Sequence, residues 1–309
     1  MTVIKHSKTN EVSNSSYNTI IHTDQCTSHE EESKVSSDGE KERNILCQVD
    51  NPEPSGKSKV ENLYLLDNSG ETERDGEPLN PSEIFRRARE KGRVNAVFPG
   101  RITQDGCCRF VCELLKCVLY QRQQMPMTYD QMVFFQKQQH NATQPSEGLD
   151  WRRCQRTLQE LDEVLAHLEA LFSLSRVPRV LFMLGGSTII PSELYEVNME
   201  AVAVGAGENS LRTSTCLRQL FRMLFVADLL SETKSVRLVT TTVMALGHRD
   251  CGVTGFKPKM DFKVPTKVKR QVISIASDLS LTGELQKSKR DLEDYIWFQA
   301  PVTVKGLCK

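Results

Sequence analysis

Residues 294–306 constrain the chain more than any other stretch. Tyr295, Ile296, Trp297 and Phe298 are four consecutive strand-favouring residues, and Val302, Thr303 and Val304 extend the run after a break. Pro301 lies inside that run. It has no N–H to donate to a ladder, so the segment must pair fully on one side only or be interrupted at the proline. Chain ends usually fray. An aromatic end therefore has to be tied down by pairing, and the expectation is a tail that closes the fold and offers its exposed edge for recognition.

Such a tail needs a body to close on. Residues 1–80 hold 16 acidic and 8 basic residues against 40 of each in the whole chain, so a net charge of zero hides an acidic front and a basic remainder. The front is also poor in apolar side chains, which leaves it short of what offsets ordering entropy. The reading is an acidic disordered tail over residues 1–78 and one folded domain over 79–309. Within the tail, Asn62–Leu66 is an apolar island that reads first as a chance cluster in a disordered segment and second as a linear binding motif. No apolar run is long enough to cross a bilayer, and the first residues lack the hydrophobic region of a secretory signal, so the expectation is a soluble intracellular protein. The ten cysteines then read as small hydrophobes in a reducing compartment, with Cys107, Cys108, Cys112 and Cys117 crowded into one apolar stretch.

Periodicity orders the domain. Val94–Phe98 predicts a short strand stopped by Pro99-Gly100. Residues 104–124 predict a helix that is apolar on most sides and hence central, with Asp105 near its start and Pro126 behind its end. Tyr129–Gln139 continues as a shorter helix, and residues 141–148 read as a polar loop. From Asp150 as N-cap, Trp151, Cys154, Leu158, Leu161, Leu165, Leu168 and Phe172 recur at steps of three and four, the pattern of a core-facing helix or, less readily over only three heptads, of a coiled coil. Arg179–Leu184 is a continuous apolar strand, and Glu193–Met199 alternates like a second. Residues 209–231 predict a third long helix with Leu217, Leu220, Leu224 and Phe225 facing the core, and Phe221 beside that face between Arg218 and Arg222. Strands are expected at Val236–Leu246, Phe256–Val264, Gln271–Ile275 and the final segment, with residues 277–293 a polar loop. Three long helices and six or seven strands, grouped rather than alternating, make an α+β layer fold.

The chemistry is mostly negative. Gly56-Lys57-Ser58 resembles the end of a phosphate loop, but Asn51 stands where that loop needs glycine. Gly185-Gly186 follows a strand without opening a helix, so there is no dinucleotide fingerprint. His248 and Cys251 are spaced like two metal ligands and lack a second pair; they read as a turn, and neither a metal nor a cofactor is expected. Ten cysteines and six histidines also leave a Cys/His nucleophile pair open as a chance arrangement. Lys257, Lys259, Lys263, Lys267, Lys269 and Arg270 form a basic run. It reads first as a solvated sheet face, then as a docking site for an acidic partner or a nuclear import signal, and last as a nucleic-acid contact, since no aromatic platform accompanies it.

Seven separated motifs carry a sharper likeness: Val97–Gly100, Gln104–Cys108, Cys112–Lys116 with Tyr120–Gln124, Val177–Leu181, Leu217–Arg222, Gly247–Gly252 and Asp294–Thr303. Together they resemble the comet family of Mad-two-binding proteins, over roughly residues 77–309 and in order. The resemblance implies a HORMA-like fold, a mainly antiparallel sheet backed by three helices with a closed C-terminal segment. It also implies a non-enzymatic adaptor that binds closed Mad-two and presents it to a Pch-two-type AAA+ ATPase, so that the mitotic checkpoint complex comes apart and the spindle checkpoint is silenced. By the same likeness Gln121 and Phe221, the latter framed by Arg218 and Arg222, face Mad-two, while Pro258 and Lys259 face the ATPase. The implied location is nucleus and cytoplasm, with spindle and kinetochores in mitosis. Two departures accompany it: the tail before Glu77 has no clear counterpart, and the polar stretch at 277–293 is longer than the family norm.

Overall fold

The computed structural model describes residues 86, 88–139, 151–230, 239–278 and 292–307. The proposed tail, its Asn62–Leu66 island, Gly56–Ser58, the loop at 141–148, Asp150 and most of the polar stretch at 277–293 lie outside the described residues. The described part is an α+β layer structure. Four helices, α1 (Gln104–Gln121), α2 (Tyr129–Gln139), α3 (Trp151–Leu174) and α4 (Thr213–Val226), accompany eight strands. These are β1 (Arg93–Phe98), β2 (Arg179–Leu184), β3 (Glu193–Asn198), β4 (Thr240–His248), β5 (Lys257–Lys259), β6 (Lys269–Ser277), β7 (Tyr295–Gln299) and β8 (Val304–Lys305).

Helix α1 begins where Thr103 Oγ1 accepts the Gly106 N–H at 2.9 Å, a side-chain N-cap reinforced by Asp105 in the first turn. It is apolar nearly all round, with Phe110, Leu114, Leu115, Val118 and Leu119 buried, as expected of a central helix. It stops earlier than the predicted residue 124. Gln123 turns into the left-handed region (φ 55°), and the Gln123 and Gln124 N–H groups bond back to the carbonyls of Tyr120 and Leu119. That reverse turn satisfies carbonyls the helix would otherwise leave bare.

The strands lie in the order β1-β6-β3-β2-β4-β7-β5, with β8 beside β4 beyond the end of β7. Five ladders are antiparallel, and two, β1 with β6 and β3 with β6, are parallel. The strand expected over Gln271–Ile275 is thus a longer, nine-residue strand that lies between β1 and β3. Several boundaries also differ. Strand β4 begins at Thr240 among the described residues and runs on to His248, and the predicted strand over Phe256–Val264 shrinks to three residues. Strand β3 does not alternate: Leu194 to Val197 are all buried, because both faces are covered.

Most of the core lies between the sheet and the helices, around Phe98, Phe110, Leu158, Leu168, Phe182 and Phe298. A smaller cluster, Leu181, Met183, Leu194, Met244, Leu246 and Trp297, sits on the other face, covered by Phe262, Val264 and Val268 of the β5–β6 connection. Phe262 meets Trp297 edge-on at 5.7 Å. Trp297 and Phe298, adjacent in sequence, therefore serve opposite faces of the sheet. The Phe298 ring packs over Gly247, where a Cβ would come within 3.4 Å of Cδ2.

The closing segment is interrupted at Pro301, as proline chemistry requires. Strand β7 pairs with Met244–His248 of β4, the Ala300 N–H reaches the Val243 carbonyl at 2.9 Å, and β8 resumes on Thr240–Thr241. Its edge is not free for recognition, contrary to expectation. Strand β5 covers β7 at Trp297–Gln299. Beyond the proline, the Lys305 N–H donates to Glu160 Oε2 at 2.8 Å and its carbonyl accepts from Thr157 Oγ1 at 2.9 Å, both from α3. Extended backbone groups cannot be left bare inside the protein, so helix side chains replace a missing strand. Phe298→Ala should cost about 3–5 kcal/mol, and deletion of residues 294–309 should remove much of the stability of a domain, about 5–15 kcal/mol. Urea unfolding checks both; a truncated chain as stable as the full one would make the tail an ornament.

Candidate functional site

Helix α4 carries the residues to which the resemblance assigns the first partner surface. It is shorter than the predicted 209–231, and its buried stripe is Cys216, Leu220, Met223 and Leu224. That stripe is rotated from the expected one: Leu217 is half-buried and Phe225 points outward, 56% exposed. The misreading has a simple cause. Cys216-Leu220-Leu224 and Leu217-Phe221-Phe225 are both apolar i, i+4 rows, and periodicity does not say which faces the core. Phe221 rests its inner side on the core, and its ring stacks on that of Phe225, with centroids 6.1 Å apart and planes at 27°. Arg218 and Arg222 are exposed beside the rings, and the helix contains no acidic residue.

Gln121 is half-buried as the last residue of α1. The turn that follows it is fastened to the sheet. Arg122, 3% exposed, donates through Nε to Glu193 Oε2 at 2.9 Å and through a second guanidinium nitrogen to Oε1, while Tyr195 Oη donates to the same Oε2 at 2.9 Å. Gln124 accepts the Leu307 N–H on its carbonyl and the Val239 N–H on Oε1. Helices α1 and α4 start side by side, because the Leu211 N–H bonds to the Arg101 carbonyl and a Cβ on Gly106 would lie 3.0 Å from Thr213 Oγ1. They also finish toward one end: α1 stops over Glu193, the first residue of β3, and Asp228 just past α4 pairs at 3.0 Å with Arg89, just before β1. Strands β1 and β3 both run parallel to β6, so these are the same end of the sheet. Gln121 and Phe221 thus lie toward that end on neighbouring helices. Among the described residues no hydrogen bond or ring contact joins them.

Pro258 and Lys259 lie elsewhere. They form β5, the edge strand farthest from β1, and all three of its side chains are exposed. Helix α4 packs against β1. With seven strands abreast at the usual 4.8 Å spacing, the two surfaces are separated by the sheet's width, about 29 Å. The basic run is not all solvated: Arg270 bonds Glu196, a carboxylate 1% exposed that Arg179 also binds through Nε at 2.8 Å. The sequence analysis does not single out Glu196 or Glu193, because nothing in the segment's letters marks which carboxylate will be clamped.

A groove of about 430 Å³ between α1, α2 and α3 contains Cys108 and Cys112, whose sulfurs are 3.9 Å apart, beside Glu113, Tyr129, Asp162 and Glu169. The hydrogen bond to Cys112, then burial, push the Cys108 thiol far above its usual range. Burial likewise lifts Cys107 to about 12 and Cys117 to about 11. These thiols stay protonated, which is the wrong state for a nucleophile, and no histidine lines the groove. All seven cysteines among the described residues are free. His248 accepts the Asp250 N–H on Nδ1 at 3.2 Å and packs edge-on against Tyr295. Among the described residues no three His, Cys, Asp or Glu side chains converge as a metal site.

Residues 44–309 match a protein-family model described as "p31comet: Mad1 and Cdc20-bound-Mad2 binding". A Homo sapiens protein named MAD2L1-binding protein is 42% identical over 262 residues, covering 82% of this chain and 92% of the relative. Its Mus musculus namesake is 40% identical over 237 residues, covering 74% and 83%. The family match begins at residue 44, upstream of Glu77, so part of the presumed tail does have a counterpart.

Glu193 fixes the turn that displays Gln121. Glu193→Ala removes the carboxylate facing a buried guanidinium, and should destabilise the protein by about 3–5 kcal/mol. Urea midpoints of the variant and the parent measure it; an unchanged midpoint would mean that the clamp is dispensable.

Proposed function

The chain belongs to the p31comet family, and on that premise we propose that it is a Mad2-binding adaptor of HORMA-like build, selective for the closed, ligand-holding form of Mad2. The observation that carries this reading is the outer row of α4. Phe221 and its neighbour Phe225 form an aromatic surface framed by Arg218 and Arg222, on a helix whose core row is already filled by Cys216, Leu220, Met223 and Leu224. Aromatic and arginine side chains are the ones that concentrate binding energy. Gln121 adds an amide at the end of the neighbouring helix.

Presentation of the bound Mad2 to a Pch-two-type AAA+ ATPase belongs to the same proposal, with Pro258 and Lys259 as the docking edge. The adaptor does no chemistry; the ATPase supplies it, the mitotic checkpoint complex comes apart, and the checkpoint is silenced. Action at spindle and kinetochores, from a nuclear and cytoplasmic pool, follows from that role. The separation of β5 from α4 across the sheet supports simultaneous engagement of two partners.

Two titrations test the proposal. Against closed-locked and open-locked Mad2, the parent chain should bind the closed form selectively. Phe221→Ala should lose about 2 kcal/mol of that affinity, near thirtyfold, and adding Gln121→Ala about 1 kcal/mol more. Equal binding to both forms would sink the selectivity. Against the ATPase, Lys259→Glu should weaken docking and blunt its salt dependence while Mad2 binding persists; loss of both partners together would mean the two surfaces are not separate.

A further inference from the structure

Helix α1 carries a pair of thiols for which the adaptor role has no use. Cys108 and Cys112 stand one turn apart, and their sulfurs approach to 3.9 Å. Both line the groove between α1, α2 and α3, at 3% and 7% exposure. Plain core packing would close apolar neighbours over such a pair, whereas this groove is lined mainly by charged side chains. A disulfide does not fit either. It needs sulfurs about 2.0 Å apart on β-carbons about 3.5–4.5 Å apart, and β-carbons one helical turn apart stay about 5–6 Å from each other. An ion between the two sulfurs asks for no such movement. At the usual zinc–sulfur distance of about 2.3 Å, sulfurs 3.9 Å apart subtend about 116°, between the tetrahedral and trigonal angles.

We propose that Cys108 and Cys112 form a two-thiolate site for one thiophilic divalent cation of the zinc class, whose remaining positions face the groove and are filled by water. The charge of the groove favours a cation. Asp105 and Glu113 of α1 and Asp162 and Glu169 of α3 outnumber Arg109 and Lys116. Glu113 is engaged by Lys116 at 2.9 Å and Asp162 by the Tyr129 hydroxyl at 2.8 Å, while the charges of Glu169 and Asp105 reach Cys108 and help to keep its proton in place. A field that holds a proton on sulfur also holds a divalent cation there. Binding breaks two S–H bonds, forms two sulfur–metal bonds and releases both protons to water; no electrons move. Among the described residues no third His, Cys, Asp or Glu converges on the pair, so the site is open and exchangeable, unlike a closed four-ligand structural centre.

The experiment is a cadmium titration, Cd²⁺ standing in for zinc because its thiolate bonds absorb in the ultraviolet. The full chain carries Cys26→Ser, Cys47→Ser, Cys251→Ser and Cys308→Ser, so that thiols elsewhere do not report. One ion should bind per chain, with a thiolate charge-transfer band and about two protons released, and excess zinc should compete it away. Cys108→Ala and Cys112→Ala should each weaken binding by more than about tenfold, with melting curves showing that the variants fold. Glu169 is exposed, so Glu169→Arg leaves the core untouched; reversing its charge should weaken binding by about tenfold at low salt. That variant keeps the test decisive if the buried alanine variants do not fold. Parental cadmium affinity in any of the three folded variants, binding without the charge-transfer band, or no binding by the parent would overturn the site.

Discussion

Strand β4 depends on having a hydrogen-bonding partner along both edges, and most of the architecture depends on β4. One edge is taken by β2 and the other by β7 and β8, with the Ala300 N–H bridging the gap at Pro301. Because side chains alternate across a strand, the same few residues put Phe298 and Val304 into the helix-side core and Trp297 into the cluster on the opposite face. Thr157 and Glu160 then bind the last described strand to α3. Backbone satisfaction, rather than apolar area alone, decides where this segment sits.

The two faces of the sheet are held differently. The helix side is a large apolar core, while the other face combines a small apolar cluster with one clamped carboxylate. Glu196 of β3 is bound by Arg179 of β2 and Arg270 of β6, so a single side chain ties three adjacent strands, and Arg179 also lies over the Trp297 ring at 5.7 Å. A buried charge cluster of this kind contributes little net stability, since desolvation offsets the attraction. Its effect here is on register: a shift of one residue would carry Glu196 to the helix side, away from both arginines.

The sequence was most readable where a single physical demand acted. The apolar run at Arg179–Leu184 and the regular steps from Trp151 to Phe172 predicted their elements closely because burial alone shapes them. Reading failed where two demands produce the same letters. On α4 two adjacent apolar rows were equally good cores, and only the packed structure separates Leu220 from Phe225. Phe256, Met260 and Phe262 alternate as a strand would, but Phe256 enters the helix-side core, Met260 is exposed and Phe262 covers Trp297, so the pattern records three different environments. Strand β6 was under-read because its polar first residues, Lys269 and Arg270, hide a strand whose Val272, Ile273 and Ile275 are buried. Of the candidate site residues, Phe221 was marked by its flanking arginines, whereas Gln121 carried no local signal beyond the family likeness.

The order of the strands also sets the order in which the protein can be made. Synthesis runs from β1 toward β8, and α1, α3, β2 and β3 can gather early, but β1 and β3 have no common neighbour until β6 emerges to lie between them. Strand β4 is completed last, its second edge staying open until residues 295–305 have left the ribosome. An apolar strand with a bare edge is a template for the wrong chain. A growing polypeptide of this design therefore carries an adhesive edge through the last stage of its synthesis, and a chaperone that shields strand edges would have its work at β4.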